Sequence, residues 1–201
     1  MKSEGPVTLT SYQAATKLYV EQTPPLGEHL TAFLDQVAIA VGSGGFLLEL
    51  GSGPGRAAMY LEDKYLRVRR TDAAPIFIDM MRADGHHADV LDIRTDAFGG
   101  PYDAILATSV LLHLSRDEFE NVLQRANAAV APDGVLAFTI KKGLGSDQGT
   151  AKSGPSQQFT CWRESEVREV LARTGWAPAL LEHVDADEPW MCVIARSQSS
   201  F

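Results

Sequence analysis

The chain predicts an α/β fold: a doubly wound seven-stranded sheet, mostly parallel, with a terminal antiparallel hairpin and helices on both faces. Three observations carry this reading. Short apolar runs alternate with stretches of helical periodicity from about residue 46 to residue 175. The first of those runs enters a glycine-rich loop, as a buried parallel strand does before a helix. The last two strand candidates, about 177–184 and 190–196, have no helix between them.

The elements follow in order. Residues up to Leu18 and Tyr19 read as a helix stopped by Pro24-Pro25. Leu30, Phe33, Leu34, Val37 and Val41 recur at spacings of three and four, which predicts a second helix ended by Gly42-Ser43-Gly44-Gly45. Phe46–Leu50 reads as a buried strand, Arg56–Lys64 as a helix, and Leu66–Thr71 as a strand ending at Asp72. Pro75 opens a helix reaching about Ala83. His86–Val90 is a weak strand and Tyr102–Thr108 a stronger one. Ser115 and Glu118 form a capping box before Phe119, Val122, Leu123 and Ala126. Pro132-Asp133-Gly134 reads as a turn before the strand Val135–Ile140. Residues 143–159 read as a loop, and Glu164–Thr174 as a helix ended by Gly175, although Arg163 stands where a capping side chain belongs.

Composition bounds the partners. The 201 residues carry 18 Lys+Arg against 26 Asp+Glu, a net charge of −8, and each half of the chain carries −4. That size fits one domain, 1–201, with 1–42 as a helical cover and 143–162 as a candidate substrate loop. No half is a basic arm, which argues against nucleic-acid partners bound through phosphate neutralisation. Two cysteines, Cys161 and Cys192, make neither a disulfide framework nor a zinc cluster. His86-His87 is no metal pair, because neighbours on a strand point to opposite faces. Residues 1–20 have no apolar signal core, and no apolar run approaches a membrane span. The expectation is a cytoplasmic protein without metal or membrane partner, a monomer or a homodimer.

In open parallel sheets ligands sit beyond the carboxyl ends of the strands, so the loop Glu49-Leu50-Gly51-Ser52-Gly53-Pro54-Gly55-Arg56 is the first candidate site. No Gly-Lys-Ser/Thr follows, which removes a P-loop. Arg56 stands where a dinucleotide fingerprint needs a third small residue, which weakens an NAD-dependent reductase. Glu49 beside the glycines would repel a pyrophosphate but suits a cationic ligand. Asp72 ends the second strand, where a carboxylate accepts both hydroxyls of a ribose. Asp89 ends the third and suits an exocyclic amine, with Asp92 three residues on as its rival. S-adenosylmethionine (SAM) combines an ammonium, a ribose and an adenine without a phosphate.

On these residues the chain resembles the class I, Rossmann-like SAM-dependent methyltransferases, especially short bacterial enzymes acting on small molecules. The resemblance also rests on Ala88-Asp89-Val90-Leu91, Tyr102-Asp103, Leu111-Leu112-His113-Leu114, Ala131-Pro132-Asp133-Gly134 and Lys141-x-Gly143-x-Gly145. It implies that Glu49, Gly51, Ser52, Gly53, Gly55 and Arg56 hold the methionine part of SAM and Asp72 the ribose, with Ala73 nearby. It further implies that Asp89 and Val90 frame the adenine and that residues 106–109, Thr108 among them, pass beneath the methionine part. Tyr19, or Tyr12, matches the N-terminal tyrosine that closes over the cofactor. The chain departs from the pattern at Arg70 and Thr71, where small or apolar residues usually precede the ribose acid. Of the basic run Arg67, Arg69 and Arg70, a solvated face is the reading that alternation supports.

The acceptor side is less determined. His113 follows the fourth strand and reads as a general base or as a packed residue that orients the loop. Lys141 ends the fifth strand, facing an anionic substrate or standing solvated beside Lys142. Tyr12, Phe159 and Trp162 are candidate walls of the acceptor site. The function this implies is methyl transfer from SAM, with S-adenosylhomocysteine as product, to an N, O or C atom of a small molecule by in-line displacement. The alternatives are an RNA- or protein-modifying methyltransferase and a non-catalytic SAM-binding regulator.

Overall fold

The computed structural model describes residues 25–149, 157–185 and 188–198. The first expected helix, with Tyr12 and Tyr19, lies outside the described residues. Helix α1 (Glu28–Val41) buries Phe33, Leu34 and Val37 and stops at Gly42. Strand β1 (Phe46–Leu50) leads through the glycine loop into α2 (Arg56–Glu62), β2 (Arg67–Asp72), α3 (Pro75–Ala83) and the short β3 (Ala88–Val90). Then come β4 (Tyr102–Ala107), a 3-10 turn (Leu111–His113), α4 (Arg116–Ala129) and β5 (Val130–Lys141). The chain closes with β6 (Ser146–Gly149), β7 (Gln157–Thr160), α5 (Glu164–Arg173), β8 (Trp176–Asp185) and β9 (Pro189–Ser197).

Seven strands form one sheet in the order β3-β2-β1-β4-β5-β9-β8. The first five run parallel; β9 joins β5 and β8 antiparallel. Strand order reverses between β1 and β4, and such a reversal opens a crevice at the carboxyl ends of the strands on either side. Alternation along each strand feeds two cores. Leu48, Ile105 and Phe138 pack toward Phe119 and Leu123 of α4 and Leu171 of α5. Leu47, Leu106 and Ala137 pack toward Leu34 of α1 and Leu61 of α2.

Three local readings are sharpened. The Pro132-Asp133-Gly134 turn lies inside β5, which begins at Val130 and carries Asp133 at a φ of 61°. The expected loop 143–159 contains a small antiparallel hairpin, β6 with β7, in which Ser146 pairs with Thr160. Helix α5 starts at Glu164 despite the absence of a capping residue at 163. The carboxylate of Glu166 accepts the Arg163 amide at 2.8 Å, which supplies the reciprocal half of a capping box. Cys161 and Cys192 are both buried, and neither is in a disulfide. Among the described residues no helix is long and apolar enough to cross a membrane.

Candidate functional site

The crevice at the strand-order reversal is a cavity of about 420 Å³, within the roughly 300–1,000 Å³ of small-ligand sites. Its floor begins with Gly51, Ser52 and Gly53. Gly51 has a φ of +68°, and a Cβ there would come within 2.6 Å of Val110, so only glycine lets the loop approach the end of β4. Gly55, at a φ of +78°, makes the left-handed step into α2. The loop is stitched to β2: the Ser52 amide donates to the Thr71 carbonyl at 2.8 Å, and the Thr71 amide donates to the Ser52 hydroxyl at 3.1 Å.

Asp72 lines the cavity where β2 ends. Its Oδ2 accepts the Gly53 amide at 2.9 Å and its Oδ1 the Ala74 amide at 2.8 Å. Burial raises its pKa against the pull of those amides. Each oxygen keeps a lone pair beyond the one it uses, so a pinned carboxylate is presented to two neighbouring hydroxyls. Ala73, Arg56 and Thr108 also line the cavity.

Glu49 sits beneath the loop rather than on the cavity wall. It is 1% exposed, and neither carboxylate oxygen has a hydrogen bond of acceptable geometry among the described residues. Burial pushes its pKa up to about 7, opposed by the Ser52 hydroxyl and the charge of Arg70. A bare buried carboxylate is costly, and such a group under a ligand loop suits a cationic partner.

The adenine side departs from expectation. Asp89 turns away from the cavity: its side chain is half exposed and pairs with Arg69 at 2.9 Å. Val90 is exposed as well. Strand β3 is a three-residue edge strand, and the chain bends over the cavity only at Leu91, whose amide donates to the Asp72 carbonyl at 3.0 Å. Leu91, Asp92, Ile93 and Arg94 line the cavity instead, with Phe77 from α3. Asp92 is the acid there, held in a turn by the Arg94 amide at 3.0 Å and kept ionised chiefly by the Arg94 guanidinium. The alternating apolar Leu91 and Ile93 were the available signal for this wall.

Val110, Leu114 and His113, which follow β4, share the same lining, together with Leu26 and Leu30. Burial, and then the charge of Lys141, lower the His113 pKa to about 4, so the ring is neutral at pH 7. Ser109 beside it takes a φ of 54°, held by its amide donating to the Thr139 hydroxyl at 2.9 Å; nothing in the sequence marks this strained residue. Lys141 and Phe159 form a second layer beyond His113 and do not line the cavity. The Phe159 and His113 ring centres are 5.4 Å apart, and the Lys141 ammonium lies 4.4 Å over Phe159 and pairs with Glu188 at 2.6 Å. Lys141 is thus neither solvated beside Lys142 nor turned to the cavity. Trp162 is core: 1% exposed, 4.5 Å from Phe119, with Arg116 stacked on it. Its bridge to Lys142 returns the chain from the hairpin to the sheet, and it does not line the cavity at the strand-order reversal.

This sheet order, with a cavity at the reversal and a pinned acid after β2, is a Rossmann-like arrangement whose cavity suits a nucleoside-type ligand. A family model described as "Methyltransferase domain" matches residues 48–136, the span from β1 into β5. Solved structures match the fold over most of the chain. The 1,6-didemethyltoxoflavin-N1-methyltransferase of Burkholderia thailandensis, with S-adenosylhomocysteine bound, is 17% identical at a TM-score of 0.74, covering 96% of this chain and 86% of that one. The magnesium protoporphyrin IX methyltransferase of Synechocystis PCC 6803 is 13% identical at a TM-score of 0.75, covering 96% and 99%. An amino pentose methyltransferase of Micromonospora echinaspora is 18% identical at a TM-score of 0.70, covering 92% and 97%. No curated protein matches the sequence. The chain thus carries a methyltransferase-domain match over residues 48–136, set within a fold shared with SAM-dependent methyltransferases.

Proposed function

We propose that this enzyme methylates an N, O or C atom of a small-molecule acceptor, with SAM at the glycine-loop end of the cavity and the acceptor at the His113 end. The observation that carries the reading is the continuity of one cavity from Asp72 to His113. Its residues fit the donor. Gly51–Gly53 over the bare Glu49 carboxylate would take the ammonium end, Asp72 the ribose, and Leu91, Ile93 and Phe77 the adenine faces, with Asp92 replacing Asp89 at its edge. When bound, SAM supplies an electrophilic methyl group on a sulfonium sulfur.

The protein's own part is to orient and to exclude water. Val110, Leu114, Leu26 and Leu30 give the acceptor end apolar walls. A neutral His113 in the lining would help to orient the acceptor atom. With a pKa near 4 it is too weak a base to hold a proton from an alcohol or ammonium. Acceptors that arrive deprotonated fit this arrangement. The similar structures named above carry small-molecule acceptors in their titles, which supports the class of substrate. The reading extends to residues 1–201 acting as one domain, with 1–42 as cover and 143–162 bordering the acceptor. It also extends to a cytoplasmic monomer or homodimer with no nucleic-acid or membrane partner, in keeping with the acidic charge.

Release of S-adenosylhomocysteine across a metabolite panel, with RNA and protein extracts run in parallel, tests this. Turnover with a metabolite is the expected result. Turnover with RNA or protein alone, or SAM binding without any turnover, contradicts it.

A further inference from the structure

Glu49 is not the only charge beneath the glycine loop. Arg70 occupies the register position beside it on the neighbouring parallel strand β2, so both side chains leave the sheet on one face. The basic run is therefore not a uniformly solvated face. Arg67 is exposed and Arg69 reaches Asp89 and Tyr102, while Arg70 is 3% exposed. The Arg70 guanidinium grips Glu62 of α2 through both terminal nitrogens, at 2.8 and 2.7 Å. Its Nε has no hydrogen-bond partner among the described residues and passes 3.5 Å from where a Cβ on Gly55 would stand.

One buried cation thus stands between two carboxylates, a partly exposed Glu62 and a fully buried Glu49. The other groups that act on Glu49 are the Asp72 carboxylate at the end of β2 and the Ser52 hydroxyl in the loop. Strand β4 presents only Leu106 beside it. With Asp72 and Glu62 nearby and no cation, a buried Glu49 takes up a proton. Protonated, it has no attraction for an ammonium.

We propose that Arg70 is a positioning residue for the methyl-donor site: its buried guanidinium keeps Glu49 ionised beneath the glycine loop and, through Glu62, ties the end of α2 to β2. This rests on reading Glu49 as the partner of the SAM ammonium. Burial already brings the Glu49 carboxyl to about 7 with Arg70 in place, so a change in the local field moves it across neutral pH.

The test is SAM affinity by isothermal titration between about pH 5.5 and 7.5, for the wild type, Arg70→Met, Arg70→Lys and Glu62→Gln. While Glu49 is protonated, affinity climbs about tenfold per pH unit, and it levels once the carboxyl is ionised. The wild-type curve bends near 7. Arg70→Met still climbs at the top of the range, whereas Arg70→Lys, which keeps the charge, bends near the wild-type pH. Glu62→Gln leaves Arg70 undivided for Glu49, and its curve levels at a lower pH than the wild type's. A purely structural role lowers affinity equally at every pH and moves no bend. A wild type that binds SAM with the same bend in Arg70→Met and Glu62→Gln overturns the proposal alone. A wild type that binds no SAM at any pH removes the reading beneath it. If circular dichroism shows Arg70→Met unfolded, Glu62→Gln decides by the same criterion.

Discussion

The Asp72 carboxylate accepts the Gly53 amide across the ligand loop at 2.9 Å, so the acid that ends β2 also sets the shape of the loop that follows β1. That side chain is scaffold, and in the function proposed above it is ligand contact as well. Asp72→Asn keeps one carbonyl oxygen for two amides, Gly53 and Ala74. We expect the ligand-free variant to lose about 1–2 kcal/mol of stability, the cost of one poorly satisfied amide. Urea unfolding of both proteins without ligand measures it, and equal midpoints count against the scaffold role.

Glu49 sets stability against binding. Its carboxyl rises from 4.5 to about 7 through burial, so the folded state holds the proton more tightly than the unfolded chain. The stabilisation is fully present below 4.5 and is lost as pH rises through 7, a difference of about 3 kcal/mol. Glu49→Gln should match the wild type in thermal stability near pH 4.5, exceed it at pH 8, and bind SAM more weakly. Melting curves of the two proteins against pH decide this; parallel curves contradict it.

His113 carries the opposite sign. Its pKa falls from 6.5 to about 4, so its stabilisation is present above 6.5 and lost as pH falls through 4. Turnover should show no limb near pH 6.5 that depends on this ring. His113→Asn, which keeps a donor and an acceptor, should hold kcat within about tenfold, whereas His113→Ala should lose about 10- to 100-fold. An acid limb near 6.5 that vanishes in His113→Asn would make the ring a base instead.

Gly51 and Val110 form a close pair, with 2.6 Å between an added Cβ and the valine. Gly51→Ala should destabilise by about 1–3 kcal/mol through crowding and positive φ together. Adding Val110→Ala should recover the crowding part only. Denaturant midpoints of the single and double variants separate the two.

The parallel sheet and its ligand end were legible because Phe46–Leu50, the glycines and Asp72 follow one another within a single strand–loop–helix unit, where local chemistry decides. The wall proposed for the adenine was not, because β3 has three residues. Asp89 turns to Arg69, a neighbour that only the pairing of β2 with β3 reveals, and the chain enters the cavity at Leu91. Trp162 misled for the same reason: the hairpin of β6 and β7 and the bridge to Lys142 carry it back into the core. Arg70 looks like its neighbours Arg67 and Arg69 in the sequence, and only the partner on α2 distinguishes it.

The central claim is that the glycine loop and Asp72 hold SAM. Isothermal titration of SAM into the wild type and into Asp72→Ala tests it most directly. We predict one site in the wild type and an affinity at least about 30-fold weaker in the variant, from two hydrogen bonds to a charged group. No binding to the wild type, or equal affinity in Asp72→Ala, would contradict the account.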